Sequence, residues 1–311
     1  MQVTFNPSPM APFIDVCLCC DRHAVDGFIG VVASAATHLG KGWTMRVHLL
    51  DCGLGDELRL RVEQTVAAQL SNVCLEIAHL DPSRLNVFPD PSGLNHASKA
   101  TYAKMLLHEM FPHLDRVIYL DCDLLVQRDL TDLASVDLES HCLAAVQDNT
   151  VGTLGSPVET LAQQFPTLAL DAPYLNAGVL VLDLERLRVT GATEMFRSMA
   201  AVVAAKFGDQ SLWNAAYPGL WRKLPEHWNR QVFLLPKFNL FPSGPASIWH
   251  FTRDFKPWHF EPGSAFGLVA SWNHSLASVD WDMSATPRCR VKESRLKALL
   301  KWAVSRIENL F

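Results

Sequence analysis

Residues 117–126 read VIYLDCDLLV, an apolar run that would be an unremarkable buried strand without Asp121 and Asp123. The strand pattern sets the fold, and the two carboxylates set the chemistry. In an extended chain, residues i and i+2 share a face, so Asp121 and Asp123 point one way and Cys122 the other. Two unpaired carboxylates on one face repel and lose hydration unless a cation joins them or the strand has reached a cleft.

Working outward, apolar runs alternate with helical patterns. FIDVCLCC (13–20) is too short for a stable helix and reads as a strand, and HAVDGFIGVVASAATHL has helical spacing. MRVHLLDCG is a second strand. DELRLRVEQTVAAQL follows as an amphipathic helix with Leu58, Val62, Val66 and Leu70 on one face. VCLEIAHL is a third strand, SKATYAKMLLHEMF a helix ended by Pro112, and VIYLDCDLLV, CLAAVQD and AGVLVLDL complete six strands. This alternation predicts an α/β fold with a mostly parallel central sheet and helices on both faces. Ligands in such folds sit beyond the carboxyl ends of the strands, which is where Asp121 and Asp123 fall.

Composition narrows the function. The 311 residues are 49% hydrophobic and 19% charged, with a net charge of −5. That is ordinary for a globular enzyme and unlike a nucleic-acid binder, which needs a basic surface. The N-terminus has no basic stretch leading into a long apolar core, so no signal peptide is expected, and no run is long enough to span a bilayer. The eight cysteines match no zinc spacing and read as reduced core residues of a cytoplasmic protein. HEMFPH (108–113) superficially resembles a zinc motif, but Pro112 interrupts it and it is not read as one.

Residues 1–263 are expected to form one catalytic domain and 264–311 a C-terminal extension. Arg288, Arg290, Lys292, Arg295, Lys297, Lys301 and Arg306 oppose an apolar face of Leu296, Leu299, Leu300, Ala303, Ile307 and Leu310. Such a basic amphipathic helix either rests on an anionic membrane surface or docks on its own domain.

Hard oxygen ligands suit magnesium or manganese, which bridge carboxylates to a diphosphate. A lone D-x-D is weak evidence, since it also marks the aspartate-nucleophile phosphohydrolases. Three further blocks sharpen it: YLNAGVLVLDL, FGDQSLWN and WHFTRDFKPWH. In this order the four blocks resemble glycosyltransferase family 8, and the likeness runs from about Ile14 to Trp258.

The resemblance implies a GT-A-like nucleotide-sugar-binding fold and retaining, metal-dependent transfer from a UDP-sugar. Asp21, ending the first strand, matches the residue that recognises uracil. Asp121, Asp123 and His250 match the manganese ligands, and Lys256 the lysine that supplies positive charge to the departing diphosphate. Asn176 and Asp209 match donor-sugar contacts, while Gln210 lies beneath the anomeric carbon. An amide is a poor nucleophile, so a front-side mechanism is favoured in which UDP leaves and the acceptor attacks from the same side. Asp148 is a further candidate for holding donor or acceptor hydroxyls.

Three positions depart from the family pattern. Lys104 replaces an arginine in TYAK, Ser211 an acidic residue after Asp209 and Gln210, and Arg253 a glycine beside the diphosphate. Lys104 and Arg253 are both expected to face the nucleotide. UDP-galactose or UDP-glucose is the expected donor, with a lipopolysaccharide-like saccharide as acceptor and Mn2+ or Mg2+ as cofactor. Two other classes remain open at this point: a non-catalytic UDP-sugar-binding protein, and a phosphohydrolase built on Asp121. Structural alternatives also stand beside the individual residues. His250 can be a packed core histidine, Asn176 a turn cap, Asp209 a helix cap and Lys256 a solvated loop residue.

Overall fold

The computed structural model describes residues 11–90, 98–149, 151, 171–232, 245–252, 256–259 and 267–286. Strands β1 (Phe13–Cys20), β2 (Thr44–Asp51), β3 (Val73–His79), β4 (Arg116–Leu120), β6 (Leu143–Gln147), β7 (Leu175–Asp183) and β8 (Arg222–Lys223) form one sheet. Its order is β3-β2-β1-β4-β7-β6-β8. The β1–β2, β1–β4, β2–β3 and β6–β8 pairs are parallel. Strand β7 runs antiparallel to both its neighbours, β4 and β6. The sheet is therefore mostly parallel, with one reversed strand near its middle.

Each buried strand serves two cores because its side chains alternate. Ile14, Val16, Leu18 and Cys20 of β1 join Phe28, Ile29 and Val32 of the helix Val25–His38 on one face. Cys17, on the other face, meets Tyr119, Leu106 and Leu107. Helical segments thus cover both faces, as the alternating pattern predicts.

Two of the expected elements take a different form, and three short strands beyond the expected six, β8, β9 (Arg230–Val232) and β10 (Ile248–Phe251), are also present. The segment 99–110 is a 3-10 helix (Lys99–Leu106) followed by one α-turn (Leu107–Met110). Five consecutive residues from Tyr102 to Leu106 are buried there, which a single amphipathic stripe cannot achieve. VIYLDCDLLV is also not one strand. The extended chain stops at Leu120, turns through Asp121-Cys122-Asp123, and resumes as β5 (Leu124–Val126) in a separate three-stranded sheet ordered β5-β10-β9. In that sheet β10 (Ile248–Phe251) pairs antiparallel with β5 and parallel with β9 (Arg230–Val232). The carboxylates therefore occupy the junction of two sheets.

The helix Gly267–Ala277 packs on the helix Val25–His38, with Trp272 wholly buried in the core that contains β1. A Cβ at Gly30 would lie 2.3 Å from Nε1 of Trp272, so only glycine permits this approach. Nearby, Trp281 Nε1 and Thr286 Oγ1 donate to the two oxygens of buried Asp26 at 2.8 and 2.7 Å. The basic helix expected within 288–311 lies outside the described residues. Among the described residues no helix is long and apolar enough to cross a membrane. Trp272→Ala is expected to cost about 3–5 kcal/mol of stability by opening a cavity, measurable as a lower urea midpoint at unchanged slope.

Candidate active site

The turn 121–123 is positioned from three sides. The Asp121 N–H donates to Gly178 O of β7 at 2.9 Å, and Asp123 O accepts from Phe251 N of β10 at 2.9 Å. A Cβ at Gly27 would sit 2.2 Å from Cys122 O, so a glycine in the first helix lets the turn pass close above it. Cys122 turns away from the carboxylates, its Sγ donating to Cys19 O at 3.3 Å.

Each aspartate has its own lysine. Lys104 Nζ lies 2.8 Å from Asp121 Oδ1, 2.7 Å from Asp209 Oδ2 and 3.1 Å from Ala177 O. Those three acceptors match the three protons of an ammonium group. Burial opposes the charge on Lys104, but Asp121 and Asp209 outweigh it and raise the pKa above the ordinary lysine value. Tyr119 OH also donates to Asp121 Oδ1, at 2.6 Å. On the second carboxylate, Lys256 Nζ lies 2.5 Å from Asp123 Oδ2 and 2.8 Å from Phe251 O. Burial works against ionisation of Asp123, yet the charge of Lys256 beside it holds the carboxyl well below its usual range.

The other oxygen of Asp123 is different. Oδ1 is buried and has no hydrogen-bond partner among the described residues, although His250 Nε2 is 3.3 Å away. His250 Nδ1 lies 2.9 Å from Asn229 Oδ1. Asn229 Nδ2 in turn donates to Asn176 Oδ1 at 2.8 Å, and that oxygen also accepts from Gly178 N at 3.0 Å. Asn176 Nδ2 continues to Asp148 Oδ2 at 3.0 Å, an oxygen that Gln210 Nε2 reaches at 3.1 Å. This chain fixes the amide orientations, since Asn176 Oδ1 accepts and so Asn229 Nδ2 must donate to it. Asn229 Oδ1 then faces His250 Nδ1, which carries the proton and leaves a lone pair on Nε2. Two lone pairs 3.3 Å apart with no proton between them suit two ligands of one cation at roughly 2.1 Å.

Asp121 completes the cluster, as ligand atoms of Asp121, Asp123 and His250 all lie within 4.8 Å of one another. The set fits a divalent metal, which Asp121, Asp123 and His250 would hold and which would supply positive charge to an anionic substrate. The sequence expectation of a shared face is met by a turn rather than by strand alternation.

Asp21 follows β1 directly, its oxygens accepting from His23 N at 2.9 Å and Ser98 Oγ at 2.6 Å. Asp209 opens the helix Asp209–Ala216 after Gly208, whose φ is +59°. Its Oδ1 accepts from Thr101 Oγ1 at 2.6 Å. Gln210 Oε1 accepts from Ala177 N at 3.3 Å, which places its amide between Asp148 and β7. Ser211 is buried, its Oγ 3.0 Å from Tyr174 OH. Arg253 lies outside the described residues.

Several contributors escaped the sequence reading. Asn229 belongs to no quoted motif, and its role needs the pairing of β9 with β10. Gly178 was visible within YLNAG, but its reason is tertiary: a Cβ there would come 2.2 Å from Cε1 of His250.

Residues 15–261 match the family profile described as "Glycosyl transferase family 8". The chain belongs to glycosyltransferase family 8. General stress protein A of Bacillus subtilis is 24% identical over 287 residues, covering 86% of this chain and 95% of that protein. The lipopolysaccharide 1,2-glucosyltransferase of Escherichia coli is 26% identical over 179 residues, which span 52% of this chain and 50% of that enzyme. Among solved structures, the galactosyltransferase LgtC, crystallised with donor and acceptor sugar analogues, superposes with a TM-score of 0.68 at 21% identity. That likeness covers 90% of this chain and 98% of LgtC and shows the GT-A-like fold. The function of this family 8 member is glycosyl transfer, a reaction that draws on a nucleotide-sugar donor, and enzymes of this family use a divalent metal.

Two measurements check the site. Asn229→Ala is expected to weaken Mn2+ binding about 10–100-fold by freeing the His250 ring, read from a titration of the Mn2+ paramagnetic resonance signal. Lys104→Met strands two carboxylates and is expected to cost about 3–5 kcal/mol in urea unfolding.

Proposed function

We propose that this family 8 enzyme moves galactose or glucose from a UDP-sugar to a saccharide acceptor with retention at the anomeric carbon. One observation carries the reading: Asp121, Asp123 and His250 converge at the junction of two sheets, with Asp123 Oδ1 buried and unpaired. That arrangement suits a cation shared with a diphosphate. Asp21 lies at the carboxyl end of β1, where it suits a nucleobase.

The donor sugar would lie toward Asp209 and Gln210. The carboxylates near Gln210 are both engaged, Asp148 by Asn176, Gln210 and Val151 N, and Asp209 by Thr101 and Lys104. Neither is a free nucleophile, which favours front-side attack over a covalent glycosyl-enzyme. In that mechanism the departing β-phosphate oxygen takes the acceptor proton. Asp209 holds sugar hydroxyls, and Gln210 presents its amide to the reacting carbon. Lys256, already 2.5 Å from Asp123, stands beside the proposed diphosphate and adds positive charge to the leaving group.

A lipopolysaccharide-like acceptor is supported by the relative in Escherichia coli and by the basic composition of residues 288–311, suited to the inner face of a membrane.

The test is UDP release from UDP-galactose or UDP-glucose in the presence of Mn2+, first without acceptor and then with oligosaccharides. Slow hydrolysis is expected alone and faster turnover with acceptor. Chelation, Asp123→Ala and His250→Ala should each lower the rate at least about 100-fold, comparable to removing a main electrostatic contact. Turnover unaffected by these treatments would sink the metal-site reading. UDP binding without turnover would favour a binding protein. A product of inverted configuration by NMR would rule out front-side attack.

A further inference from the structure

A second cluster of metal-binding side chains lies away from the catalytic junction, toward the amino-terminal end of β1. Adjacent strands bring its members together: β1 contributes Asp15, β2 contributes Arg46 and His48, and β3 contributes Glu76. The strand register pairs Asp15 with Arg46 and His48 with Glu76. His113 arrives from the connection after the α-turn Leu107–Met110. HEMFPH therefore does not act as a unit, because His108 bonds Thr193 Oγ1 at 2.8 Å instead.

The distances describe a two-layered site. His48 Nδ1 is 2.7 Å from Glu76 Oε2, and His113 Nε2 is 3.3 Å from the same oxygen. Behind His48, its Nε2 is 2.7 Å from Asp15 Oδ1. Arg46 grips Asp15 through both oxygens, at 2.7 and 2.5 Å. Phe111 meets the His48 ring edge-on with centroids 5.5 Å apart, which limits its rotation.

Proton accounting makes Glu76 the informative residue. A neutral imidazole has one N–H, and the Asp15 carboxylate, gripped by Arg46 through both oxygens, is the natural acceptor for it at Nε2. At Nδ1 the ring then meets the Glu76 carboxylate at 2.7 Å, a contact that requires either a second ring proton, making His48 an imidazolium between two carboxylates, or a cation. Glu76 has no lysine or arginine partner among the described residues, and two histidines converge on it. The row Arg46–Asp15–His48 has the form of a carboxylate–histidine–metal relay, in which the carboxylate fixes the tautomer of a ligating ring.

We propose that His48, Glu76 and His113 form a second metal site, of the two-histidine, one-glutamate type that zinc occupies, with solvent as the fourth ligand. The donor atoms lie within 4.8 Å of one another. A mixed nitrogen and carboxylate set with one open position is a zinc chemistry, distinct from the oxygen-rich ligands suited to magnesium. Entry is open, since the side chains of Glu76 and His113 are 46% and 54% exposed, while His48 is only 4% exposed. The ion would clamp the segment around Phe111 to the sheet at β3.

The experiment uses the full chain and Zn2+ as the probe, with bound metal counted after equilibrium dialysis and melting temperature recorded beside it. Asp123→Ala, which disables the catalytic cluster, should still retain about one zinc, and zinc should still raise its melting temperature. Adding His113→Gln or Glu76→Gln, both at exposed side chains, should abolish that uptake and that shift while circular dichroism stays native. Zinc uptake undiminished by His113→Gln would overturn the assignment. Absence of uptake in folded Asp123→Ala would do so too, leaving His48 as an imidazolium between two carboxylates.

Discussion

Asp121 and Asp123 are charges placed where a hydrophobic strand ends, and the surroundings are organised to make that tolerable. Lys104 and Lys256 each pair with one of them, each buried and each also bonded to a backbone carbonyl. Burying the two lysine charges costs several kcal/mol each unless their partners are well aligned. Alignment depends on the 3-10 segment that delivers Lys104, the reversed strand β7 that offers Ala177 O, and the small sheet that delivers Phe251 O. Losing either carbonyl would leave one ammonium proton without its acceptor, and losing the 3-10 segment would strip Asp121 and Asp209 of their lysine. The candidate site and the stability of the fold are thus coupled through the same ion pairs.

The reversal of β7 also explains how residues from the second half of the chain reach the site. In an all-parallel sheet, the amino-terminal end of a strand lies opposite the ligand edge. Because β7 runs antiparallel to β4, its first residues, Leu175 to Gly178, lie beside the carboxyl end of β4. Asn176 and Gly178 gain access to the cleft, and Asn176 passes its hydrogen bonds to Asn229 and so to His250.

Local pattern in the sequence disclosed the strands well, because alternation and apolar runs record burial directly. The candidate site residues came instead from the resemblance of four ordered blocks to family 8, which pointed to Asp121, Asp123, Asn176, Asp209, Gln210 and His250, and the fold brings Asp121, Asp123 and His250 within reach of one another. Long-range partnership was not visible. Nothing near Lys104 signals that it spans Asp121 and Asp209, and nothing near Asn229 marks its contact with a histidine on another strand. The break in VIYLDCDLLV was hidden for the same reason: Leu124–Val126 is as apolar as the strand before it, and only pairing with residues 248–250 assigns it to a different sheet. Likewise, the relay from Arg46 to His48 depends on strand register, which composition does not encode.

The antiparallel contact between β5 and β10 joins residues 124–126 to residues 248–250. It closes a loop of more than a hundred residues, the kind of non-local pairing whose entropic cost slows its formation during folding. His250 meets Asp123 only when that pairing exists, so the side chains at the sheet junction are brought together by a contact between distant parts of the chain. A partly folded chain that holds the β1–β2–β3 unit alone would carry the strand residues Asp15, His48 and Glu76 but lack the catalytic triad of ligands.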